Sequence, residues 1–76
     1  MKIDKILDAK GLSCPLPIVK TNKIIKQMND GEIIKVLSTD PGSKRDFESW
    51  CNKTGNTLLE MSEVDDVFTY IIQKRR

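Results

Sequence analysis

The sequence predicts an α/β (α+β) two-layer sandwich. Its element order is βαβαββ, with a four-stranded mixed sheet and two helices on one face. Three observations carry this. Apolar residues change spacing along the chain in the order strand, helix, strand, helix, strand, strand. Two junctions, Cys14-Pro15 and Asp40-Pro41, each put a proline just ahead of a helical pattern. Each helix has one apolar stripe, so both must cover the same side of the sheet. The 76 residues leave room for one domain, 1–76, with a small core and little space for a deep substrate cavity.

The first strand is Ile3-Asp4-Lys5-Ile6-Leu7-Asp8, followed by the turn residues Lys10-Gly11. A helix runs from Leu16 to about Asn29, with Pro15 at its first position, where a missing N–H is no loss. Pro17 still lies inside the first turn and helps make this junction rigid. On a helical wheel Ile18, Thr21, Ile24, Ile25 and Met28 cluster with Pro17. Lys20, Lys23 and Gln27 lie opposite, and Leu16 and Val19 fall with the lysines. Asp30-Gly31 stops the helix.

Glu32 to Thr39 is a strand whose apolar density, from Ile33, Ile34, Val36 and Leu37, suits a central position. Asp40 caps a second helix that Pro41 opens and that runs to about Lys53. Phe47, Trp50, Cys51 and Thr54 share one narrow face of it, and Gly55 ends it. Strands from Thr57 to Val64 and from Val67 to Gln73 flank a hairpin turn, Asp65-Asp66. Phe68, Tyr70 and Ile72 share a face. The two crossovers imply parallel pairing, and the last hairpin one antiparallel pair. Trp50 reads as a core anchor, and Lys74-Arg75-Arg76 as a solvated tail.

With 38% hydrophobic and 32% charged residues the composition suits a folded soluble domain rather than a disordered chain. No apolar run approaches the roughly 20 residues that span a bilayer, and the N-terminus lacks the apolar core of a signal peptide. A cytoplasmic location is expected, where thiols stay reduced. The net charge of +2 is too small to argue for nucleic acid. Its distribution is uneven: residues 1–35 carry seven lysines and four acids, and residues 36–66 carry three basic residues and seven acids. Such asymmetry can steer an acidic partner, or reflect ordinary surface variation. With no histidine there is no Cys-His pair and none of the commonest metal ligand. Cys14 and Cys51 are too few for a zinc or iron–sulfur site. No metal and no cofactor is expected.

The chemistry centres on Cys14-Pro15-Leu16-Pro17. A cysteine at or next to an N-cap faces the positive end of the helix dipole and unsatisfied N–H groups, which favours the nucleophilic thiolate. An isolated cysteine is more often buried packing, but two prolines that set the local backbone argue against that here. Cys51, beside Phe47 and Trp50, reads as core packing; a disulfide with Cys14 or a resolving role stays open. Leu16 and Val19, flanked by Lys20 and Lys23, form a candidate docking patch, although single exposed apolar residues are also commonplace.

The segment from Leu7 to Pro17, Leu-Asp-Ala-Lys-Gly-Leu-Ser-Cys-Pro-Leu-Pro, resembles the signature of the TusA/SirA family of small sulfur-carrier proteins. The likeness continues through Asp40-Pro41, Asp46-Phe47, Trp50-Cys51, residues 55–59 and residues 70–74. It implies a two-layer sandwich like the C-terminal domain of a bacterial translation initiation factor, with the last strand antiparallel to the rest. It implies that Cys14 accepts sulfane sulfur from a cysteine desulfurase as a persulfide and hands it to an acceptor protein, with tRNA thiolation one destination. Pro15, Pro17 and Gly11 would support the motif. Lys10 stands where the family often has arginine, and Leu16 stands at the variable position, often polar or acidic. Lys10, Leu16, Val19, Lys20 and Lys23 are the candidate docking residues. The family likeness and the small size favour a monomer that docks transiently, while the weak net charge and the lack of a long apolar run lead to the expectation of no stable nucleic-acid binding and no membrane attachment. What the resemblance implies is a sulfurtransferase-type carrier rather than a stand-alone turnover enzyme. The alternatives are a non-catalytic RNA- or protein-binding regulatory module, which would tolerate loss of Cys14, and an accessory protein of selenium metabolism.

Overall fold

The computed structural model describes residues 2–13 and 15–75. Six elements follow in the expected order: β1 (Lys5–Ala9), α1 (Leu16–Ile25), β2 (Ile33–Ser38), α2 (Ser43–Thr54), β3 (Thr57–Val64) and β4 (Val67–Gln73). The sheet order is β1-β2-β4-β3. β1 pairs parallel with β2, and β4 pairs antiparallel with both β2 and β3. The last strand therefore inserts between β2 and β3. There are two antiparallel interfaces rather than the single hairpin pair expected, because a βαβ crossover sets only strand direction and leaves a gap that another strand can fill.

Alternation along the central strands decides which side the helices cover. Ile34, Val36 and Ser38 of β2 are fully buried, as are Tyr70 and Ile72 of β4. Their neighbours Ile33, Lys35, Leu37 and Thr69 are half-buried on the other face. Phe47 and Cys51 of α2 and Ile25 of α1 join the buried set in one cluster, which Ala9 and Met28 complete. Phe47 stacks on Tyr70 at a centroid distance of 4.5 Å.

Element boundaries moved for local reasons. The first strand starts at Lys5 rather than Ile3, and Asp4 ahead of it accepts from the N–H of Ile33 at 2.9 Å. The first helix ends at Ile25, short of Asn29. Gln27 and Met28 then bond back to the carbonyls of Ile24 and Ile25, the tighter spacing that often closes a helix. Met28 stays buried through this turn. Asp40 does not cap α2 and Pro41 does not open it. The N-cap is Gly42, and the Asp40 carboxylate instead accepts from the N–H of Gly42 at 3.1 Å, closing a turn ahead of the helix. Gly55, at φ 81°, ends α2 as expected. Asp65 and Asp66 both adopt positive φ, 51° and 65°, as a two-residue hairpin turn requires.

The C-terminal segment departs most from expectation. Lys74 is buried at 9% exposure, and its ammonium donates to the Met28 carbonyl at 2.6 Å. Arg75 donates its N–H to Asn56 Oδ1 at 3.0 Å. Lys74 thus satisfies a carbonyl just past the end of α1 instead of extending into solvent.

Candidate functional site

β1 and β2 run parallel and deliver their C-terminal ends to the same edge of the sheet, where α1 and α2 begin. Both strand-to-helix loops meet there. In the first, Asp8 accepts from the N–H of Lys10 at 3.0 Å, and Leu12 donates its N–H to the Ala9 carbonyl at 3.2 Å. Gly11 turns the chain at φ 83°, a conformation that costs a side-chain-bearing residue about 1–2 kcal/mol. Its N–H donates to Thr39 Oγ1 at 2.9 Å, joining the first loop to the second.

The helix opens at Leu16 as expected, but the role of Pro15 differs. Pro15 is the N-cap, not the first helical residue, and Pro17 occupies the second helical position. At φ −97° and ψ 11° Pro15 lies outside the helical region, so the usual preference of proline for the first helical position, on which the expectation rested, is not realised here. Leu16 donates its N–H to the Ser13 carbonyl at 3.0 Å, and Val19 to the Pro15 carbonyl at 3.0 Å. Pro17 is buried, and its carbonyl accepts from the Thr21 hydroxyl at 2.7 Å. Cys14, between Ser13 and Pro15, lies outside the described residues, so its expected place at or next to the cap is not described.

The outer face of α1 gathers Leu16, Val19, Lys20 and Lys23. Leu16 is 45% exposed and Val19 52%, and both lysines are exposed. Their spacing of three, four and seven residues makes one stripe. Lys10 is exposed on the turn before it. On the other side of Pro15 a groove of about 250 Å³ runs between the helices, lined by Pro15, Ile18, Asp46, Ser49, Trp50 and Lys53. Trp50 is half-buried here, packed edge-on to Phe47 with centroids 6.2 Å apart. It packs against the core from its margin and also lines the groove beside Pro15. Its position three residues after Phe47, off the centre of the buried stripe, was the available signal.

Cys51 is a free thiol with 5% exposure, and burial pushes its pKa up to about 11. It packs in the core, and its burial disfavours the nucleophilic thiolate. Among the described residues no group of His, Cys, Asp or Glu is placed to hold a metal ion. None of their helices is long and apolar enough to cross a membrane.

The family model for the sulfurtransferase TusA matches residues 5–74. The chain belongs to the TusA sulfurtransferase family. It is 46% identical over 74 residues to YrkI of Bacillus subtilis, a match that covers 97% of this chain and 99% of YrkI. It is 44% identical over 71 residues to the sulfur carrier protein TusA of Allochromatium vinosum, covering 93% of each. A crystal structure of a SirA-like protein from Desulfitobacterium hafniense superposes with a TM-score of 0.83 at 23% identity, covering 95% of this chain and 99% of the other. That likeness establishes the fold alone. As a member of the TusA family, the chain is of the sulfur-carrier class, whose work joins sulfur donors to sulfur acceptors.

Proposed function

We propose that residues 1–76 form one carrier domain that holds sulfane sulfur as a persulfide on Cys14. The observation that supports this most is the TusA match over residues 5–74, which takes in the whole Cys-Pro-x-Pro segment. The chemistry is consistent with it. The Cys14 thiolate attacks the terminal sulfur of a donor enzyme's persulfide. A new S–S bond forms at Cys14, the donor's S–S bond breaks, and the donor's cysteine leaves as thiolate. No electrons are gained or lost overall. A cysteine desulfurase is the natural donor class, because it makes such a persulfide from cysteine.

Transfer onward repeats the step in the other direction, with an acceptor protein's thiolate as the attacker. tRNA thiolation or another sulfur-transfer route is the destination. The chain acts as a monomer in the reducing cytoplasm and docks each partner in turn. The stripe of Leu16, Val19, Lys20 and Lys23, with Lys10 nearby in sequence, offers apolar area ringed by positive charge. Pro15, Pro17 and Gly11 hold the loop-to-helix junction.

The test is to incubate the full chain with a cysteine desulfurase and L-cysteine and to map adducts by mass spectrometry. A gain of one sulfur atom at Cys14, absent from Cys14→Ala, is the expected result. No adduct, or one only at Cys51, overturns the reading.

A further inference from the structure

Three consecutive residues at the end of β2 each lend a side-chain oxygen to a backbone N–H. Ser38 Oγ accepts from Asp40 at 3.2 Å, and Asp40 Oδ1 accepts from Gly42 at 3.1 Å. Both bonds are local and shape the turn into α2. Thr39 differs, for its Oγ1 accepts from Gly11, 28 residues away in the chain, at 2.9 Å. The last paired residues of β1 and β2 are Ala9 and Ser38. Thr39 and Gly11 therefore meet just beyond the ladder, where the two chains separate. A backbone carbonyl at this point would extend the sheet. A hydroxyl on a side chain satisfies the N–H while letting the first chain turn away toward Ser13 and Pro15.

We infer that Thr39 is a positioning residue for sulfur transfer, holding the loop that carries Cys14 through its hydrogen bond to Gly11. The inference rests on the reading of Cys14 as the carrier. Two ends of that loop are fixed: Gly11 by Thr39, and Pro15 by the first turn of α1, whose Val19 N–H it accepts. Only residues 12–14 lie between them. Leu12 is half-buried against the core and bonded back to Ala9, so slack released at Gly11 passes down the short segment that leads into the first turn of α1. Thr39 itself is exposed, so the bond adds little to global stability, and its effect falls on loop geometry. The docking stripe on α1 does not involve Thr39.

The experiment compares wild type, Thr39→Val and Thr39→Ser. Valine keeps the branched shape and loses the hydroxyl, whereas serine keeps the hydroxyl. Desulfurase-dependent loading of Cys14 is measured against carrier concentration, with melting temperature as a check on the fold. Thr39→Val is expected to lower kcat by about two- to tenfold, the effect of one ordinary hydrogen bond, with KM unchanged. Thr39→Ser is expected to restore it. Loading of Thr39→Val at the wild-type kcat overturns the inference, and so does a loss that serine shares or that appears only in KM. If wild type takes no sulfur at Cys14, the carrier reading itself fails. The alkylation rate of Cys14 by iodoacetamide at fixed pH then decides the Thr39 inference. A rate changed twofold or more in valine and restored by serine upholds it, and an unchanged rate overturns it.

Discussion

The Tyr70 hydroxyl donates to Ser43 Oγ across 2.6 Å of fully buried space, tying the central strand β4 to the first turn of α2. Ser43 has a single hydroxyl proton and gives it to the Asp40 carbonyl at 2.7 Å, so Tyr70 must be the donor. Tyr70→Phe is expected to cost about 1 kcal/mol, because Ser43 keeps its bond to Asp40. Ser43→Ala leaves the buried phenol unpaired and is expected to cost about 1–3 kcal/mol. The double variant should lose less than the sum of the two. Urea denaturation measures all three, and strict additivity would remove the coupling.

Alkaline pH should loosen the core through two groups. Burial raises the Cys51 pKa from an ordinary 9.0 to about 11, and burial also raises that of Tyr70. Folding favours the protonated form of each. The stability contributed by the Cys51 thiol is therefore fully present below pH 9.0 and falls as pH rises through about 11. Cys51→Ala should flatten this decline while lowering stability at neutral pH through lost packing. In the native wild type Cys51 should resist iodoacetamide near pH 8 and react readily in denaturant. Peptide mapping checks this; fast native labelling of Cys51 would contradict its burial.

Lys74→Met should destabilise the fold although Lys74 opens a run of basic residues, Lys74-Arg75-Arg76. The substitution leaves the Met28 carbonyl without its buried ammonium partner. A cost of about 1–3 kcal/mol is expected, and each kcal/mol lowers the melting temperature of a chain this size by about 4–8 °C. Calorimetry reads the shift.

Charge reversal on α1 separates steering from contact. Lys20→Glu with Lys23→Glu should weaken desulfurase binding strongly at low salt and much less near 1 M salt, where screening acts within about 3 Å. Leu16→Ala with Val19→Ala should weaken it about equally at both. Titrations at the two ionic strengths distinguish these, and salt-independent loss in the lysine variant would rule out charge-guided docking.

Asp66→Gly should stabilise the β3–β4 hairpin. Asp66 sits at φ 65°, where glycine carries no Cβ penalty, and the greater freedom of glycine in the unfolded chain offsets part of the gain. A net gain of about 0.5 kcal/mol is expected from thermal melting.

Much of this architecture was legible in the residues because it is governed by local periodicity and turn chemistry. The six elements, the buried stripe of Pro17, Thr21 and Ile25, and the exposure of Leu16 and Val19 all follow from spacing along one helix or strand. The Cys-Pro-x-Pro segment and its surroundings pointed to the sulfur-carrier family by a different route, a resemblance of the residues themselves to that family's signature. Tertiary structure alone decided which strand fills the gap between β2 and β3, because strand neighbours are chosen by long-range pairing. It alone decided that Lys74 turns inward, since its acceptor at Met28 lies 46 residues away. The same holds for Thr39. One more polar residue after an apolar strand looks like solvent-facing punctuation until the fold brings Gly11 beside it, and a hydrogen bond between residues so distant leaves no periodic trace in a sequence.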